Sequence, residues 1–341
     1  MLHTSDFDFE LPAELIASHP LERRDASRML VIGGDNIADK HIRDFLDFLR
    51  PGDVVVFNNS RVIPARFDAD GHEITLHTAV SDKNWWGLCK KFNKINVGDI
   101  LTLADGTQIT VMDKDEESGL LVHFNCDNVF AVLNKVGKMP LPPYMKREAE
   151  VADQTRYQTV YADPLGSMAA PTAGLHFTDD LMREIERRGA KIVKVTLHVG
   201  AGTWMPVKTE NLSEHKMHSE WCQITPEQAD IINNATRVIA VGTTSLRTLE
   251  SAAAAKGEHR RVVPFCQTTN IFITPGYKFR AVDVLLTNFH LPKSTLFMLV
   301  SAFSGVDEMK AAYAHAIAEK YRFFSYGDCC LLFKKECPDE L

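Results

Sequence analysis

Polar turns, two of which contain glycine, follow three apolar segments that the sequence marks as strands. His198–Trp204 reads His-Val-Gly-Ala-Gly-Thr-Trp, Gly242–Arg247 reads Gly-Thr-Thr-Ser-Leu-Arg, and a third turn holds Asn288 and His290. Backbone N–H groups and hydroxyls at a helix start suit a carboxylate or phosphate, with Arg247 as a planar bidentate partner. The alternative is a plain N-cap with an exposed Arg247. Together the turns favour one pocket, because folds with alternating strands and helices place sites at strand ends.

Four titratable side chains lie on or beside the predicted strand ends, namely His176, His218, Glu220 and His290. Each can titrate near neutrality if its surroundings shift its pKa, so we expect the acid–base pair of a catalyst among them. Any one histidine taken alone is more often a hydrogen-bonded structural residue. No histidine pair has the i, i+4 spacing of a helical metal site, and the seven cysteines have no ligand spacing. We therefore expect no metal and no cofactor.

The stretch from Tyr161 to Phe177 has neither a helical nor a strand period. Pro164 and Pro171 break helices, and the small side chains between them would let a ligand lie close to the backbone. Thr178 then reads as the N-cap of a helix, where anionic groups are readily held. We interpret the stretch as a binding wall. With the turns it supplies the substrate-binding candidates: Asp163, Ser167, Thr172, His198, Gly200, Gly202, Thr243, Thr244, Ser245 and Arg247.

The elements that must position these residues follow two patterns. Apolar runs such as Val54–Phe57 alternate with amphipathic helical segments at both ends of the chain, which predicts an α/β fold with a mainly parallel sheet or barrel. Between them, five short strands and the hairpin turn at Asp105-Gly106 predict a small antiparallel barrel. The fold class is thus a barrel-like α/β catalytic domain, residues 1–65 and 148–341, with an inserted antiparallel β-barrel domain, residues 66–147.

Composition excludes some classes of protein. The 341-residue chain has a formal charge of −7, which argues against a non-specific nucleic-acid coat but allows a local basic surface. No apolar run reaches the ~18 residues of a membrane span, and the first ten residues are acidic and unlike a signal peptide. Scattered cysteines fit reduced thiols. We expect a cytoplasmic protein, a monomer, away from the membrane.

Many ordered stretches of the chain resemble one family, the S-adenosylmethionine:tRNA ribosyltransferase-isomerases of queuosine biosynthesis. The resemblance runs nearly end to end, and it includes 7–12, 19–24, 51–53, 57–66, 156–162, 166–177, 198–203, 218–220, 242–251, 269–275, 286–294 and 321–328. Small departures occur at Trp204, Met205 and Cys222, and Cys89–Phe92 lacks a proline common there.

The resemblance implies an α/β domain with an inserted β-barrel, and it implies the reaction. The ribosyl group of S-adenosylmethionine is transferred to 7-aminomethyl-7-deazaguanine at the tRNA wobble position and isomerised, giving epoxyqueuosine and releasing adenine and methionine. S-adenosylmethionine is then a ribosyl donor and is consumed. The alternatives are a metal-dependent hydrolase that uses the histidines and a non-catalytic RNA-binding module.

A tRNA substrate requires a basic surface on this acidic chain. Lys90, Lys91 and Lys94 interleave with Trp85, Trp86 and Phe92, a pairing that suits base stacking and phosphate attraction. The alternative is a hairpin whose aromatic side chains face the core. We expect a basic strip across both domains, formed by Arg61, Arg66, Lys90, Lys91, Lys94, Lys146 and Arg147.

Overall fold

The larger of the two main sheets contains nine strands. The computed structural model describes residues 2–33, 36–116, 118–200, 207, 209–253 and 261–335. Within these ranges the spatial order is β15 (Phe265–Thr269), β13 (Glu220–Ile224), β12 (Lys191–Leu197), β3 (Asp53–Asn58), β14 (Arg237–Val241), β16 (Val284–Asn288), β17 (Cys329–Phe333), β1 (Arg28–Gly33) and β2 (Asn36–His41).

The strand directions make the middle of this sheet parallel. β12, β3, β14 and β16 run the same way. β17 is antiparallel to β16 and parallel to β1, while β13, β15 and β2 are antiparallel at the edges. The predicted α/β class is confirmed. The carboxyl ends of four parallel strands therefore meet at one edge of the sheet.

Alternate side chains of β3 explain why this strand lies in the middle. Val54 and Val56 belong to one hydrophobic core, and Val55 and Phe57 belong to another on the opposite face. A strand buried on both faces reads as a continuous apolar run. The helices that cover the two faces are α3 (Asp179–Arg187) on the second core and α4 (Pro226–Asn233), α5 (Thr243–Ser251), α6 (Thr295–Ser304) and α7 (Val306–Ala318) on the first.

The second sheet is an almost closed antiparallel barrel. Its strands, in spatial order, are β5 (Arg66–Ala69), β6 (His72–Ala79), β7 (Asn84–Cys89), β10 (Gly119–Phe124), β9 (Gln108–Asp115) and β8 (Ile100–Thr102). A bridge between Ala69 and Leu103 joins the outer strands. The barrel has its own core with α1 (Val129–Val136) packed against it. All five strands predicted here are confirmed.

The chain enters and leaves the barrel at one place. β4 (Arg61–Val62) pairs with β11 (Leu165–Ser167), and Arg66 forms a bridge with Lys138. The short helix α2 (Asp153–Arg156) lies in the return connection. The stretch from Tyr161 to Phe177 is therefore tied to the segment that leads into the barrel, and this pairing places it at the junction between barrel and main sheet.

The residue pattern also predicts a short strand over 7–11 and helices that begin at Pro12 and at Leu246, and the structure differs from each of these three predictions. The strand predicted over 7–11 does not form, because Phe9 packs against the rings of Phe297 and Tyr313, at 4.9 and 5.2 Å, and the chain turns as a 3₁₀-helix over Thr4–Phe7. The helix predicted from Pro12 is a single 3₁₀ turn, Ala13–Leu15. The helix predicted from Leu246 begins at Thr243.

Candidate active site

Two concavities lie at the carboxyl edge of the parallel strands. A groove of about 970 Å³ separates the barrel from this edge, with His77 and Trp86 on the barrel side and His198 and Glu220 on the sheet side. A smaller pocket of about 80 Å³ lies beyond the ends of β14 and β16, and its lining includes Tyr144, Thr172, Thr243, Thr244, His290 and Phe324. The turns singled out from the sequence thus lie at one edge of the sheet, but they are divided between two concavities rather than forming the one predicted pocket.

His198 is held rigidly in the wall of the groove. Its Nδ1 lies 2.7 Å from Oγ of Ser60, and its ring stacks on Trp221 with centroids 5.1 Å apart. Gly166 has φ of +148° and covers the ring so closely that a Cβ there would lie 2.8 Å from it. Burial lowers the pKa of His198. His198 is therefore a positioned, neutral polar group at neutral pH.

Glu220 and Arg247 form a buried ion pair behind the groove. One carboxylate oxygen of Glu220 accepts the N–H of Gly200 at 2.9 Å, and the other pairs with Nη1 of Arg247. Arg247 is only 3% exposed, so the alternative of a surface arginine is wrong. Its Nε and Nη2 have no hydrogen-bond partner in the described part of the chain. The pair can orient the Gly200 turn and still offers donors to an anionic group.

The start of α5 forms one wall of the small pocket. Gly242 has φ of +88°, a value that favours glycine, and this conformation starts the helix at Thr243. The hydroxyl of Thr244 is buried and has no partner among the described residues, whereas Ser245 donates to the carbonyl oxygen of Val241 at 2.8 Å. Thr243 and Thr244 line the pocket. Ser245 is committed to its own helix, so the prediction that it binds substrate is not supported by its hydrogen bonding.

Two of the predicted acid–base histidines are deeply buried and neutral. Burial lowers the pKa of His290 to about 3, and burial together with the charges of Arg24 and Arg322 lowers that of His176 to about 4. The expectation that they titrate near neutrality is therefore wrong for both. Nε2 of His290 lies 3.2 Å from the hydroxyl of Thr287. At neutral pH these rings can exchange hydrogen bonds with a ligand but carry no charge.

His176 lies behind the small pocket. Its Nδ1 is 2.8 Å from Oγ of Ser27, and its Nε2 is 3.2 Å from Nδ2 of Asn288. Because the amide nitrogen donates, Nε2 accepts and the ring proton is on Nδ1. Asn288 lines the pocket, whereas His176 lines a separate cavity. Asn288 therefore connects this histidine to the pocket.

The remaining candidates divide between the two concavities. His218 is exposed in the groove, and Ser167 accepts the N–H of Val199 at 2.8 Å between groove and pocket. Asp163 lines neither concavity, while Gly202, Trp204 and Met205 lie outside the described residues. Cys222 is buried on β13.

Sequence reasoning missed several residues of the site. Ser60 fixes His198, and Asn288, singled out only as part of a turn, joins His176 to the pocket. The rings of Tyr144 and Phe324 contact each other at the pocket with centroids 4.0 Å apart and planes tilted by 50°. Polar residues directly after β3 and at the end of β16 were the available indication, because strand ends place side chains at the site. Nothing local marked the two aromatic residues.

The basic candidates differ in how free their charges are. Arg147 makes a bidentate pair with Asp153 at 2.7 and 2.8 Å and also donates to Ser18, so its prediction as a phosphate contact is not supported. Lys90 pairs with Glu73 at 3.0 Å, and Arg66 donates to the carbonyl oxygen of Leu141. The exposed candidates are Arg61, Lys90, Lys91, Lys94 and Lys146. Trp85 is buried in the barrel core and also borders the groove, which Trp86 lines as well.

Neither a metal-ligand cluster nor a membrane span is found in the part of the chain that the structure describes. No three His, Cys, Asp or Glu side chains within those ranges lie together as a metal would require. None of the described helices is long and apolar enough to cross a membrane.

The structure defines an α/β protein whose candidate active site lies between the strand ends of its main sheet and an antiparallel β-barrel. Comparison with known proteins makes this specific. The sequence model of the family described as "Queuosine biosynthesis protein" matches residues 4–332. The chain belongs to this family.

Full-length relatives support the assignment. The chain is 50% identical to the S-adenosylmethionine:tRNA ribosyltransferase-isomerase of Parvibaculum lavamentivorans, over 97% of this chain and 99% of the relative. It is 47% identical to that of Caulobacter vibrioides, over 98% and 100%. The crystal structure of S-adenosylmethionine tRNA ribosyltransferase from Thermotoga maritima matches with a TM-score of 0.55 and 32% identity, over 96% and 99%.

Proposed function

We propose that this enzyme transfers the ribosyl group of S-adenosylmethionine to 7-aminomethyl-7-deazaguanine at the tRNA wobble position and isomerises it to the epoxycyclopentanediol of epoxyqueuosine. Adenine and methionine are released. The observation that carries the proposal is the identity of about half of all residues, over nearly the whole chain, with relatives that bear this enzyme name.

The chemistry needs a base beside the sulfonium, where positive sulfur acidifies carbon, and a donor for the departing adenine. His290 reaches the pocket as a neutral imidazole, and Glu220 and His218 line the groove. We expect both the base and the acid to be among His176, His218, Glu220 and His290. A neutral imidazole can accept or donate a hydrogen bond without the cost of burying a charge.

The binding groups fit a large, polar substrate. A groove of about 970 Å³ between two units has room for more than one small molecule, and base modification requires the target nucleotide to leave its stack. Thr244 and Arg247 offer unused donors that suit the methionine carboxylate. The exposed basic candidates lie on the barrel and on the two connections of the junction, where an RNA stem would rest. The enzyme acts in the cytoplasm as a monomer, without metal or redox cofactor.

Mass spectrometry of tRNA tests the proposal. The purified protein is incubated with S-adenosylmethionine and tRNA that carries 7-aminomethyl-7-deazaguanine, and the wobble nucleoside should gain the mass of the transferred ribosyl group while adenine and methionine accumulate in equal amounts. The matched control is the same tRNA with guanine at the wobble position, which should remain unmodified. Consumption of S-adenosylmethionine without a change in tRNA mass would contradict the proposal.

A further inference from the structure

Three arginines lie together beside a shallow concavity on the far side of His176 from the small pocket. Arg24 and Arg156 line this concavity of about 20 Å³, and Arg322 lies close enough for its charge to act on His176. We call Arg24, Arg156 and Arg322 the arginine cluster. They come from the stretches 19–24, 156–162 and 321–328, which the proposed chemistry does not use.

The arginine cluster is fixed by main-chain carbonyl groups rather than by carboxylates. Arg24 donates to Thr155 at 2.8 Å and to Leu175 at 3.2 Å. Arg156 donates to Leu21 and Glu22 at 2.5 and 2.9 Å, so the two loops hold each other reciprocally. Arg322 donates to the carbonyl oxygen of His19. Carbonyl acceptors orient a guanidinium but leave its positive charge unneutralised.

The charge balance of the cluster is unusual for this chain. Arg147, Arg237 and Arg247 each pair with a buried carboxylate. By contrast, no carboxylate of the described residues lies within 4.0 Å of a guanidinium nitrogen of the cluster. Asp328 accepts the backbone N–H groups of Arg28 and Arg322, and its charge acts on the Arg322 guanidinium from a longer distance. Burial is the main cause that lowers the pKa of Arg24, and the nearby positive charge of Arg156 lowers it further.

Unused donors accompany the unneutralised charge. Nε of Arg156 and Nη1 of Arg322 are buried and have no hydrogen-bond partner in the described ranges. A buried donor without a partner is costly, and it is still more costly when it carries charge. An anion such as phosphate would neutralise the charge of the cluster and offer several acceptor oxygens to its guanidinium groups at once.

We propose that the arginine cluster binds a backbone phosphate of the tRNA next to the nucleotide whose base enters the small pocket. The position supports this ligand, because Ser325 lines both concavities and the contact of His176 with Asn288 separates them. An RNA strand whose base enters the small pocket, on one side of the contact between His176 and Asn288, brings the flanking phosphate to the arginine cluster on the other side. A chain with a net charge of −7 needs such local contacts to hold RNA.

This inference rests on the proposed function, and salt-dependent tRNA binding tests it. We would measure tRNA affinity between about 50 and 200 mM salt for Arg24→Gln, Arg156→Gln and Arg322→Gln. Removing an arginine that binds phosphate should reduce the slope of log affinity against log salt by about 0.7–0.9. S-adenosylmethionine affinity should stay at the wild-type value. An unchanged slope in folded variants would overturn the proposal.

Matched variants separate the charge from the loop contacts. Arg187→Gln removes an exposed arginine of α3 that pairs with Glu184 and should keep the wild-type slope. Arg156→Lys retains charge, so its slope should stay closer to the wild-type value than that of Arg156→Gln. Equal defects in the Lys and Gln variants would show a structural role and overturn the proposal. The triple alanine variant of Lys90, Lys91 and Lys94 tests the barrel surface in the same assay.

A chemical change in the RNA tests the same phosphate contact even when a glutamine variant does not fold. Single methylphosphonate groups, which are uncharged, are placed along the anticodon arm and tested with wild type and Arg156→Lys. One position should weaken binding to wild type and weaken it less in the lysine variant; the absence of such a position would overturn the proposal. Failure of the wild-type protein itself to bind or modify tRNA would instead refute the proposed function.

Discussion

His176 provides a quantitative prediction about stability against pH. Its pKa falls from 6.5 to about 4 on folding, mainly through burial. Between these values the unfolded chain binds a proton that the folded chain does not, so stability decreases as the pH falls from about 7 towards 4. The full difference corresponds to about 3.4 kcal/mol, and about 2 kcal/mol of it is already lost at pH 5.

The test is a comparison of wild type with His176→Gln. Glutamine does not titrate, so the variant should lose about 2 kcal/mol less than wild type between pH 7.5 and pH 5. Urea unfolding followed by far-ultraviolet circular dichroism at the two pH values measures the difference, whatever the variant's stability at pH 7.5.

Ser27→Ala is the matched control, because it removes the hydroxyl 2.8 Å from Nδ1 but leaves the imidazole in place. It should keep the wild-type pH dependence. If His176→Gln lost as much stability on acidification as wild type, the reasoning that His176 is buried and neutral would be refuted.

Four further predictions concern the active site. Arg247→Ala should weaken S-adenosylmethionine binding by about 1.5–3 kcal/mol. It should also destabilise the fold by about 3–5 kcal/mol, because Glu220 is left buried and unpaired. Calorimetry and a double-mutant cycle with Glu220→Ala separate the two effects, and unchanged donor affinity would remove Arg247 from the binding site. His290→Ala should slow turnover by about 10²–10⁴-fold while donor binding survives, and a change of only a few-fold would exclude it from the acid–base pair. Gly166→Ala should lower stability by about 1–3 kcal/mol, since the ring of His198 cannot yield between its partners, and a wild-type melting temperature would show that it can. Chelators should leave ribosyl transfer unchanged, and loss that one added metal restores would contradict the expectation of metal-free catalysis.

The fold could be predicted where apolar periodicity is strong. Val54–Phe57 is continuous because β3 is buried on both faces, and the strand-helix alternation around it followed directly. β13 and β15 were not recognised, because Glu220–Ile224 and Phe265–Thr269 mix polar and apolar residues at the sheet edge. Phe9 gave a misleading strand pattern because its partners lie on distant helices.

The site was predictable as a location but not as a set of contacts. Turns after strands indicated the edge of the sheet at which His198 and His290 lie. The pairing of Glu220 with Arg247 depends on how α5 packs against β13, which no local sequence pattern indicates. The neutrality of His290 depends on burial by residues distant in sequence, which is a property of the folded chain alone.

The position of β17 constrains how the molecule can be made. Met29 on β1 pairs with Cys329 on the last strand, and that strand also pairs with β16 on its other side. During synthesis at roughly 5–20 residues per second, the β1–β2 hairpin is made within the first few seconds but waits on the order of 15–60 s for its neighbour. The barrel, by contrast, has its strands within one short segment and can close while the rest is still being translated. β17 then fills a gap in the main sheet between β16 and β1, so this nascent protein carries an open sheet edge until β17 has been translated.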